Sequence, residues 1–308
     1  MQIMSLMTAL PGAAAQGLIW GIMAIGVYIT FRILDIADLT VDGTLCTGGA
    51  VCIMMMLSGH NVWVSMLAAT GAGLLAGLAT GIFHTFMGIP AILAGILTQL
   101  SLYSVNLKIM GKANQAINVD KFNLLVSLRR VKGVVLTQNT LFIVAIMIVI
   151  LIAVLYWFFG TELGCSLRAT GCNPSMSRAQ GINTNFNKVL GLMISNGLVA
   201  LSSALLAQYQ GFADINMGRG AIVIGLAAVI IGEAIFSRIF RNFALTLLSV
   251  GFGAVIYYLV LQVVIWLGVD TDLLKMFSAI VVAIFLAIPY WKSRYFAKPV
   301  RRGGSADA

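Results

Sequence analysis

The chain is built from apolar runs, most of which are long enough to cross a lipid bilayer. Nine of them follow one another, at approximately residues 12–34, 44–57, 61–87, 89–110, 139–159, 187–211, 220–236, 243–268 and 274–291. A helix needs about 20 apolar residues to cross a hydrocarbon layer about 30 Å thick. With 60% hydrophobic and only 9% charged residues, the 308-residue chain also lacks the polar surface of a soluble protein. We therefore predict an all-α integral membrane protein with about eight or nine transmembrane helices in one domain over residues 1–308.

Glycines recur inside these runs. Four of them lie in the third run, at Gly71, Gly73, Gly77 and Gly81. Because small residues let helices approach each other closely in a membrane, we expect close backbone packing at these positions.

Charged residues beside the runs predict the orientation of the chain. The segment after the last run contains one acid, Asp307. Its basic residues are Lys292, Arg294, Lys298, Arg301 and Arg302. Since basic flanks stay on the cytoplasmic side, we predict a multi-pass protein of the plasma or inner membrane with a cytoplasmic C-terminus. The net charge of +9 then favours contact with anionic lipid and not with nucleic acid.

Two polar breaks between apolar runs resemble each other. They read IADLTVDGT at 36–44 and FADINMGRG at 212–220, and each precedes one of the two shortest runs. In the predicted topology the first break is entered from outside and the second from inside. Discontinuous helices at corresponding places in inverted halves mark a central pathway in transporters. We therefore predict two discontinuous helices in an inverted repeat. The candidate pathway or hinge residues are Asp35, Asp38, Thr40, Asp42, Asp214 and Asn216.

The aspartates of the first break have two compatible interpretations. Asp42 stands just before residue 44, where the next apolar run begins, and can cap that helix. Thr40 can cap it in the same way. Alternatively, the carboxylates line a wet cavity inside the bundle. Capping and hinge formation are favoured over direct contact with a substrate.

Oppositely charged neighbours are expected to form ion pairs, which lower the cost of charges at membrane depth. For Glu233 the alternative is contact with a soluble partner. The expected pairs are Arg32 with Asp35, Arg219 with Asp214, and Glu233 with Arg238.

The segment 160–187 contains residues that are typical of the start and the end of a short helix, and it lies outside the apolar runs. Asn173 can cap it, Pro174 suits its first position, and Gly181 suits a left-handed stop. The segment is either an ordinary linker or a docking site for a soluble partner.

The run LGCSLRATGCNPSMSRAQGINTNFNKVLGLMISNGLVALSSALLAQYQGF resembles the cytoplasmic loop and following helix of ABC importer permeases in the branched-chain amino acid permease family. The segment GVYITFRILDIADLTVDG is similar to a subgroup described as tryptophan or tyrosine transport permeases. The resemblance implies that residues 173–182 are a coupling helix seated on an ATPase, with Arg178 as its main charged contact. Arg168 and Glu162 would support the loop. The implied coupling-helix residues are Asn173, Pro174, Ser175, Met176, Ser177, Arg178 and Gly181.

The resemblance also implies partners for the chain. These are a cytoplasmic ATP-binding subunit, an extracellular substrate-binding protein that basic residues at 112–132 could meet, and a second permease copy in a homodimer. No cofactor, metal or catalytic residue is expected. The one Gly-Lys pair continues into Ala113 and is not a phosphate-binding loop, so ATP hydrolysis requires another subunit.

Two other functions compete with an importer of aromatic or branched-chain amino acids. An ion- or proton-coupled secondary transporter would use the intramembrane aspartates as coupling groups and need no ATPase. A membrane-embedded enzyme would need a nucleophile with its base or a cluster of metal ligands, and the sequence presents neither.

Overall fold

Long helices form most of the chain. The computed structural model describes residues 2–119, 122, 124–131, 139–236, 242–268 and 273–295. Its helices are α1 (Gln2–Tyr28), which continues into a π-helical turn (Ile29–Ile33), α2 (Thr40–Leu57), α3 (Val62–Thr85), α4 (Ala91–Met110), α5 (Thr140–Gly160), α6 (Glu162–Cys172), α7 (Pro174–Ala179), α8 (Thr184–Gln210), α9 (Ala221–Phe236), α10 (Phe243–Trp266) and α11 (Leu274–Tyr295). Two short strands, β1 (Asn114–Ala116) and β2 (Phe212–Asp214), and a 3-10 turn (Leu128–Val131) complete the described elements.

Seven of the described helices are long and apolar enough to cross a membrane, namely α1 with its π-helical turn, α2, α3, α4, α5, α8 and α10. Two shorter apolar helices are α9 and the Met276–Phe285 part of α11. The nine apolar runs of the sequence coincide with these nine helices. The prediction of an all-α membrane protein is therefore confirmed. The charged tail after residue 295 lies outside the described residues.

The helices α1 and α8 lie side by side and run in opposite directions. Tyr209 Oη, near the end of α8, donates to the carbonyl oxygen of Gly12, near the start of α1 (3.1 Å). Ser195 Oγ, earlier in α8, donates to the carbonyl oxygen of Gly26, late in α1 (2.8 Å). Since α8 follows α7 and leads into β2, the bundle has one end that carries α7 and one that carries the strands. We call them the α7 end and the β end.

The helix α2 begins inside the bundle, not at one of its ends. Thr44, in its early turns, bonds to Asn196 in the middle of α8 (2.7 Å). Cys52 Sγ, further along α2, accepts a hydrogen bond from Gln208 Nε2, close to the end of α8 (3.7 Å). The helix α2 therefore runs parallel to α8, from the middle of the bundle to the β end.

The helix α9 begins in the same region and runs the other way. Gly225 packs against Val27 in the second half of α1, and Glu233 binds Arg32 in the π-helical turn. Hence α9 runs toward the α7 end. The pairs α1 with α8 and α2 with α9 each have opposite directions, which confirms the predicted inverted repeat with two discontinuous helices.

Glycines bring α3 and α8 close together. A Cβ at Gly73 or Gly77 would overlap the backbone of α8, and one at Gly81 would press on Val189. The close packing expected at these three positions is therefore confirmed. At Gly71 the expectation is wrong, because an added Cβ would find no neighbour within 4 Å.

Two features of the fold go beyond the sequence prediction. The helix α6 precedes α7 in the segment 160–187, where the sequence predicts a single short helix. At the β end, β1 pairs antiparallel with β2, with Gln115 opposite Ala213. This small sheet attaches the chain after α4 to the chain after α8.

Candidate functional site

Asp38 caps the first turn of α2. Its Oδ1 accepts a hydrogen bond from the backbone N–H of Thr40, where the helix begins (2.9 Å). The prediction that Asp42 caps a helix starting at residue 44 is therefore wrong. The physical reason is that the Asp38 carboxylate satisfies one of the free N–H groups of a helix that starts earlier in the chain.

Asp38 also anchors a polar network inside the bundle. The residue is 2% exposed, and its Oδ2 accepts from Asn196 Nδ2 (2.7 Å). Asn196 Oδ1 in turn accepts from Thr44 Oγ1 (2.7 Å). A carboxylate taken out of water needs such bonds, because an unpaired one would be very costly. The break between α1 and α2 is thereby fixed to the middle of α8.

Thr40 joins the start of α2 to two other helices. Its hydroxyl is fully buried and lies 2.7 Å from the hydroxyl of Thr80 in α3. Thr80 donates to Thr98 Oγ1 in α4 (2.9 Å). The suggestion that the Thr40 side chain caps a helix is therefore wrong, since its hydroxyl is used between helices.

Asp42 caps α9, although it belongs to α2. Its Oδ2 accepts from the backbone N–H of Gly220 and its Oδ1 from that of Ile222, each at 3.0 Å. Gly218 lies so close to the carbonyl oxygen of Asp42 that a Cβ there would overlap it. The second polar break thus docks onto the first turn of α2.

The N-termini of α2 and α9 consequently meet in the middle of the bundle. A helix N-terminus carries a partial positive charge of about +0.5. Asp38 neutralises this charge for α2, and Asp42 does so for α9. The two sequence breaks that resemble each other are therefore neighbours in space, linked by a carboxylate of the first break.

The ends of α1 and α9 are tied together at the α7 end. Arg32 Nε donates to Glu233 Oε1 (2.9 Å) and Oε2 (3.1 Å), and Arg32 Nη2 donates to Oε2. The expected ion pair of Arg32 with Asp35 is wrong, because the guanidinium group of Arg32 binds the carboxylate of Glu233. Asp35 is exposed and has a φ of 54°, a conformation that Asp adopts more readily than most residues. Arg238, the expected partner of Glu233, lies outside the described residues.

Asp214 and Asn216 lie toward the β end. Asp214 Oδ1 accepts from the backbone N–H of Asn216 (2.7 Å), and its Oδ2 accepts from Asn114 Nδ2 across the small sheet (3.3 Å). The expected ion pair of Asp214 with Arg219 is therefore wrong, because Asn216 and Asn114 bind the carboxylate instead. Asp214 therefore shapes the turn that brings the chain back into the bundle, and Asn216 is exposed there.

A cavity of about 130 Å³, lined by both polar and apolar residues, lies beside the point where α2 and α9 meet. Its walls are α2, α4 and the segment 215–219. The lining residues are Asp42, Gly43, Cys46, Gln99, Leu100, Tyr103, Asn106, Ile215 and Arg219. Of these, only Asp42 is among the candidate pathway residues from the sequence.

Two asparagines inside apolar runs complete the site and were not among the sequence candidates. Asn196 is fully buried in α8 and Asn106 is fully buried in α4. A buried amide within a membrane helix needs a hydrogen-bonding partner on another element. The position of each asparagine in an otherwise apolar run is the signal that could have identified them.

The helix α7 has the ends that the sequence predicts. Asn173 Oδ1 accepts from Met176 N (3.0 Å), Pro174 is the first helical residue, and Gly181 has a φ of 82°. Ser177 is buried and its hydroxyl donates to the carbonyl oxygen of Asn173 (3.0 Å). Of the implied coupling-helix residues, Asn173, Ser175, Met176, Arg178 and Gly181 are exposed.

Comparisons with known proteins bear on the whole chain. The sequence profile of the family described as branched-chain amino acid transport system / permease component matches residues 10–288. The tyrosine transport system permease protein of Clostridioides difficile strain R20291 is 39% identical over 91% of each chain. An uncharacterized protein of Rickettsia prowazekii strain Madrid E is 37% identical over 91% of this chain and 98% of its own.

A solved structure supports the fold. PsaBC from Streptococcus pneumoniae, in complex with Fab, matches 96% of this chain and 98% of its own with a TM-score of 0.54. At 19% identity the likeness concerns the fold alone. The profile match and the two sequence relatives extend over most of the chain, including both polar breaks and α7. This chain therefore belongs to the permease-component family of branched-chain amino acid transport systems and is a transport subunit, not an enzyme.

Proposed function

We propose that this chain is the membrane subunit of an ATP-driven importer that moves an amino acid into the cytoplasm. The family description and the tyrosine permease of Clostridioides difficile support an aromatic or branched-chain amino acid as the substrate. The importer contains two copies of this chain around one pore, a cytoplasmic ATPase and an extracellular binding protein that delivers the substrate. The α7 end faces the cytoplasm.

The geometry of α7 is the observation that carries this proposal. Its N-cap, its N-terminal proline and the bond from the buried Ser177 Oγ to the carbonyl oxygen of Asn173 stabilise the short helix. Its outer side presents Met176, which is 59% exposed, and the charged Arg178. A rigid projection with an apolar tip and a cation suits a cleft in a soluble partner. In the importer this partner is the ATPase, and α7 is the coupling helix.

A continuous set of contacts connects α7 with the middle of the bundle. Gly171 in α6 lies against the carbonyl oxygen of Ile33, so that a Cβ there would overlap it. Arg32, in the same π-helical turn, binds Glu233 of α9, and the start of α9 is held by Asp42. A displacement of α7 by the ATPase would therefore reach α9 and the hinge residues. This is the physical basis for gating in the proposed cycle.

The coupling role is tested by copurification with the ATP-binding subunit of the proposed importer. Met176→Glu and Arg178→Glu place a charge on the apolar tip or reverse the cation, and we expect both variants to lose the ATPase during affinity purification. Lys188→Glu is the matched control, because it makes the same charge reversal at the same end of the bundle but outside α7.

Uptake into proteoliposomes separates the proposal from its alternative. An importer requires ATP together with the binding protein, and its uptake of L-tyrosine should stop in the α7 variants. Uptake by the purified chain alone, driven by a proton or sodium gradient, would instead establish a secondary transporter. Retention of the ATPase by both α7 variants would refute the coupling-helix assignment.

A further inference from the structure

The cavity beside Asp42 contains a buried acceptor that the fold leaves unused. Asn106 is fully buried, and its Nδ2 donates to the carbonyl oxygen of Gly43 (3.4 Å). Its Oδ1 accepts no hydrogen bond from any residue that the structure describes. An unpaired buried acceptor costs about 1–3 kcal/mol. A ligand that brings a hydrogen-bond donor into the cavity would recover this free energy.

The cavity also carries one charge of each sign. Each oxygen of Asp42 accepts one hydrogen bond from α9, and a carboxylate has about four acceptor positions, so acceptor capacity remains. Arg219 is exposed at the cavity and forms no ion pair with any acid in the described ranges. The lining therefore offers acceptors in its interior and a cation at its exposed side.

This distribution matches the head group of an α-amino acid. An ammonium group donates hydrogen bonds and carries a positive charge, which suits Asn106 Oδ1 and Asp42. The adjacent carboxylate suits the guanidinium of Arg219, whose planar donors fit carboxylates well. A metal cation would leave Arg219 without a partner. An uncharged sugar could form hydrogen bonds with Asp42 and Arg219 but would bring an opposite charge to neither.

The dimensions agree with a head group and not with a whole large amino acid. At about 30 Å³ for each water molecule, a cavity of about 130 Å³ has the volume of roughly four waters. Leu100 and Tyr103 are exposed on α4 beside the cavity, 64% and 46% respectively. They offer an apolar and aromatic surface for the part of the substrate that extends out of it.

We propose that this cavity is a binding station for the ammonium and carboxylate groups of an amino acid in transit. Asn106 Oδ1 and Asp42 accept hydrogen bonds from the ammonium group, and Arg219 donates to the carboxylate. This inference rests on the proposed amino acid importer. It adds that the membrane subunit itself recognises the substrate, in addition to the binding protein.

Protection of a cysteine in the cavity wall tests the station directly. Gln99→Cys is introduced in a chain whose cavity-lining Cys46 and exposed Cys165 and Cys172 are replaced by Ala, and the reconstituted permease is labelled with a small thiol reagent. Addition of L-phenylalanine should slow the labelling, about tenfold at a concentration near ten times its dissociation constant. Phenethylamine, which lacks the carboxylate, and 3-phenylpropionate, which lacks the ammonium group, should protect much less. Ser58→Cys, exposed at the β end, should label at an unchanged rate.

Second substitutions identify the contacts. Asn106→Leu and Arg219→Gln should each abolish protection by L-phenylalanine. A melting temperature of Asn106→Leu close to that of the unmodified protein separates loss of the contact from misfolding. Lys112→Gln is the matched control for Arg219→Gln, because it removes an exposed cation outside the cavity.

The outcomes distinguish the station from the proposed function. If the assembled importer takes up L-phenylalanine but this same amino acid gives no protection, the station is refuted and the importer stands. Equal protection by phenethylamine or by sodium ions would reduce the cavity to a cation site and refute the zwitterion assignment. Protection without any ATP-dependent uptake would support the station and overturn the importer.

Discussion

The three aspartates of the first break occupy three different environments within eight positions, 35 to 42. Asp35 is exposed, Asp38 is buried with both oxygens bonded, and Asp42 is half-buried and bonded to two backbone N–H groups. The same substitution, Asp→Asn, should therefore change the stability of the protein by a different amount at each of the three positions. Comparing the three variants tests the three assigned environments.

We expect Asp38→Asn to lower the apparent melting temperature of the purified protein most. An amide has one acceptor oxygen and would direct its NH₂ group at either Thr40 N–H or Asn196 Nδ2, which are both donors. A buried donor left without an acceptor costs about 1–3 kcal/mol. Asp42→Asn loses one bond at the N-terminus of α9, and a helix cap contributes about 0.5–2 kcal/mol.

Asp35→Asn is the matched control for this series. Its side chain is exposed, and asparagine adopts a positive φ as readily as aspartate does. Its melting temperature should therefore stay close to that of the unmodified protein. A loss of stability at Asp35 as large as that at Asp38 would contradict the assigned environments.

The local cap of α7 could be predicted from the sequence, but long-range partners could not. The bond from Met176 N to Asn173 Oδ1 spans 3 positions, and the residue types at 173, 174 and 181 are sufficient to predict α7. The Arg32–Glu233 bond spans 201 positions. The sequence therefore predicts a pair between near neighbours, Arg32 and Asp35. The fold instead brings Glu233, which is distant in sequence, into contact with Arg32.

At the scale of elements, α9 is held at both ends by the region where α1 gives way to α2. Asp42 caps its first turn, and Arg32 binds Glu233 in its last turns. Arg32 belongs to a π-helical turn, a local irregularity that often occurs at functional sites. We infer that α9 moves together with this region and not independently of it.

Charge exchange at Arg32 and Glu233 tests this coupling. Arg32→Glu and Glu233→Arg should each reduce ATP-dependent uptake, and the double variant should recover part of it because the pair is restored in reverse. The two side chains are 51% and 22% exposed, so the coupling energy should be modest, about 1 kcal/mol or less. A thermal-stability double-mutant cycle measures it.

Arg32→Glu combined with Asp35→Lys provides the comparison pair. This exchange reverses the ion pair that sequence proximity predicts. Because Glu233 is the bonded partner in the structure and Asp35 acts on Arg32 only through a weaker electrostatic interaction, the second cycle should give a smaller coupling energy than the first. Coupling in the second cycle and its absence in the first would show that α9 is not tied to α1 in this way.

Element prediction succeeded where hydrophobicity determines the element. The nine apolar runs match nine helices, since length and composition suffice to predict a membrane span. The helix α6 and the strand pair β1–β2 were missed because short elements depend on packing against the rest of the fold. Likewise, α2 begins at Thr40 and not at residue 44, because Asp38 caps it from within a buried network.

At the scale of the whole molecule, the inverted repeat fixes the direction of each helix relative to the other helices. The loop between α2 and α3 lies at the β end, whereas α7 lies at the opposite end of the bundle, at the start of α8. Any orientation of the protein in the membrane therefore puts these two places on opposite sides. The proposed importer requires α7 on the cytoplasmic side.

Cysteine labelling in intact cells determines this orientation. Ser58→Cys at the β end and Ser175→Cys at the α7 end are each introduced in a chain with Cys165 and Cys172 replaced by Ala, because those two native cysteines are exposed. We expect a membrane-impermeant maleimide to label Ser58→Cys from outside and Ser175→Cys only after the membrane is opened. Ser177→Cys serves as the control for burial, since Ser177 is 3% exposed and should label slowly on either side. Labelling of Ser175→Cys in sealed cells would place α7 outside, where no ATPase could reach it, and the proposed coupling would have to be abandoned together with the predicted cytoplasmic C-terminus.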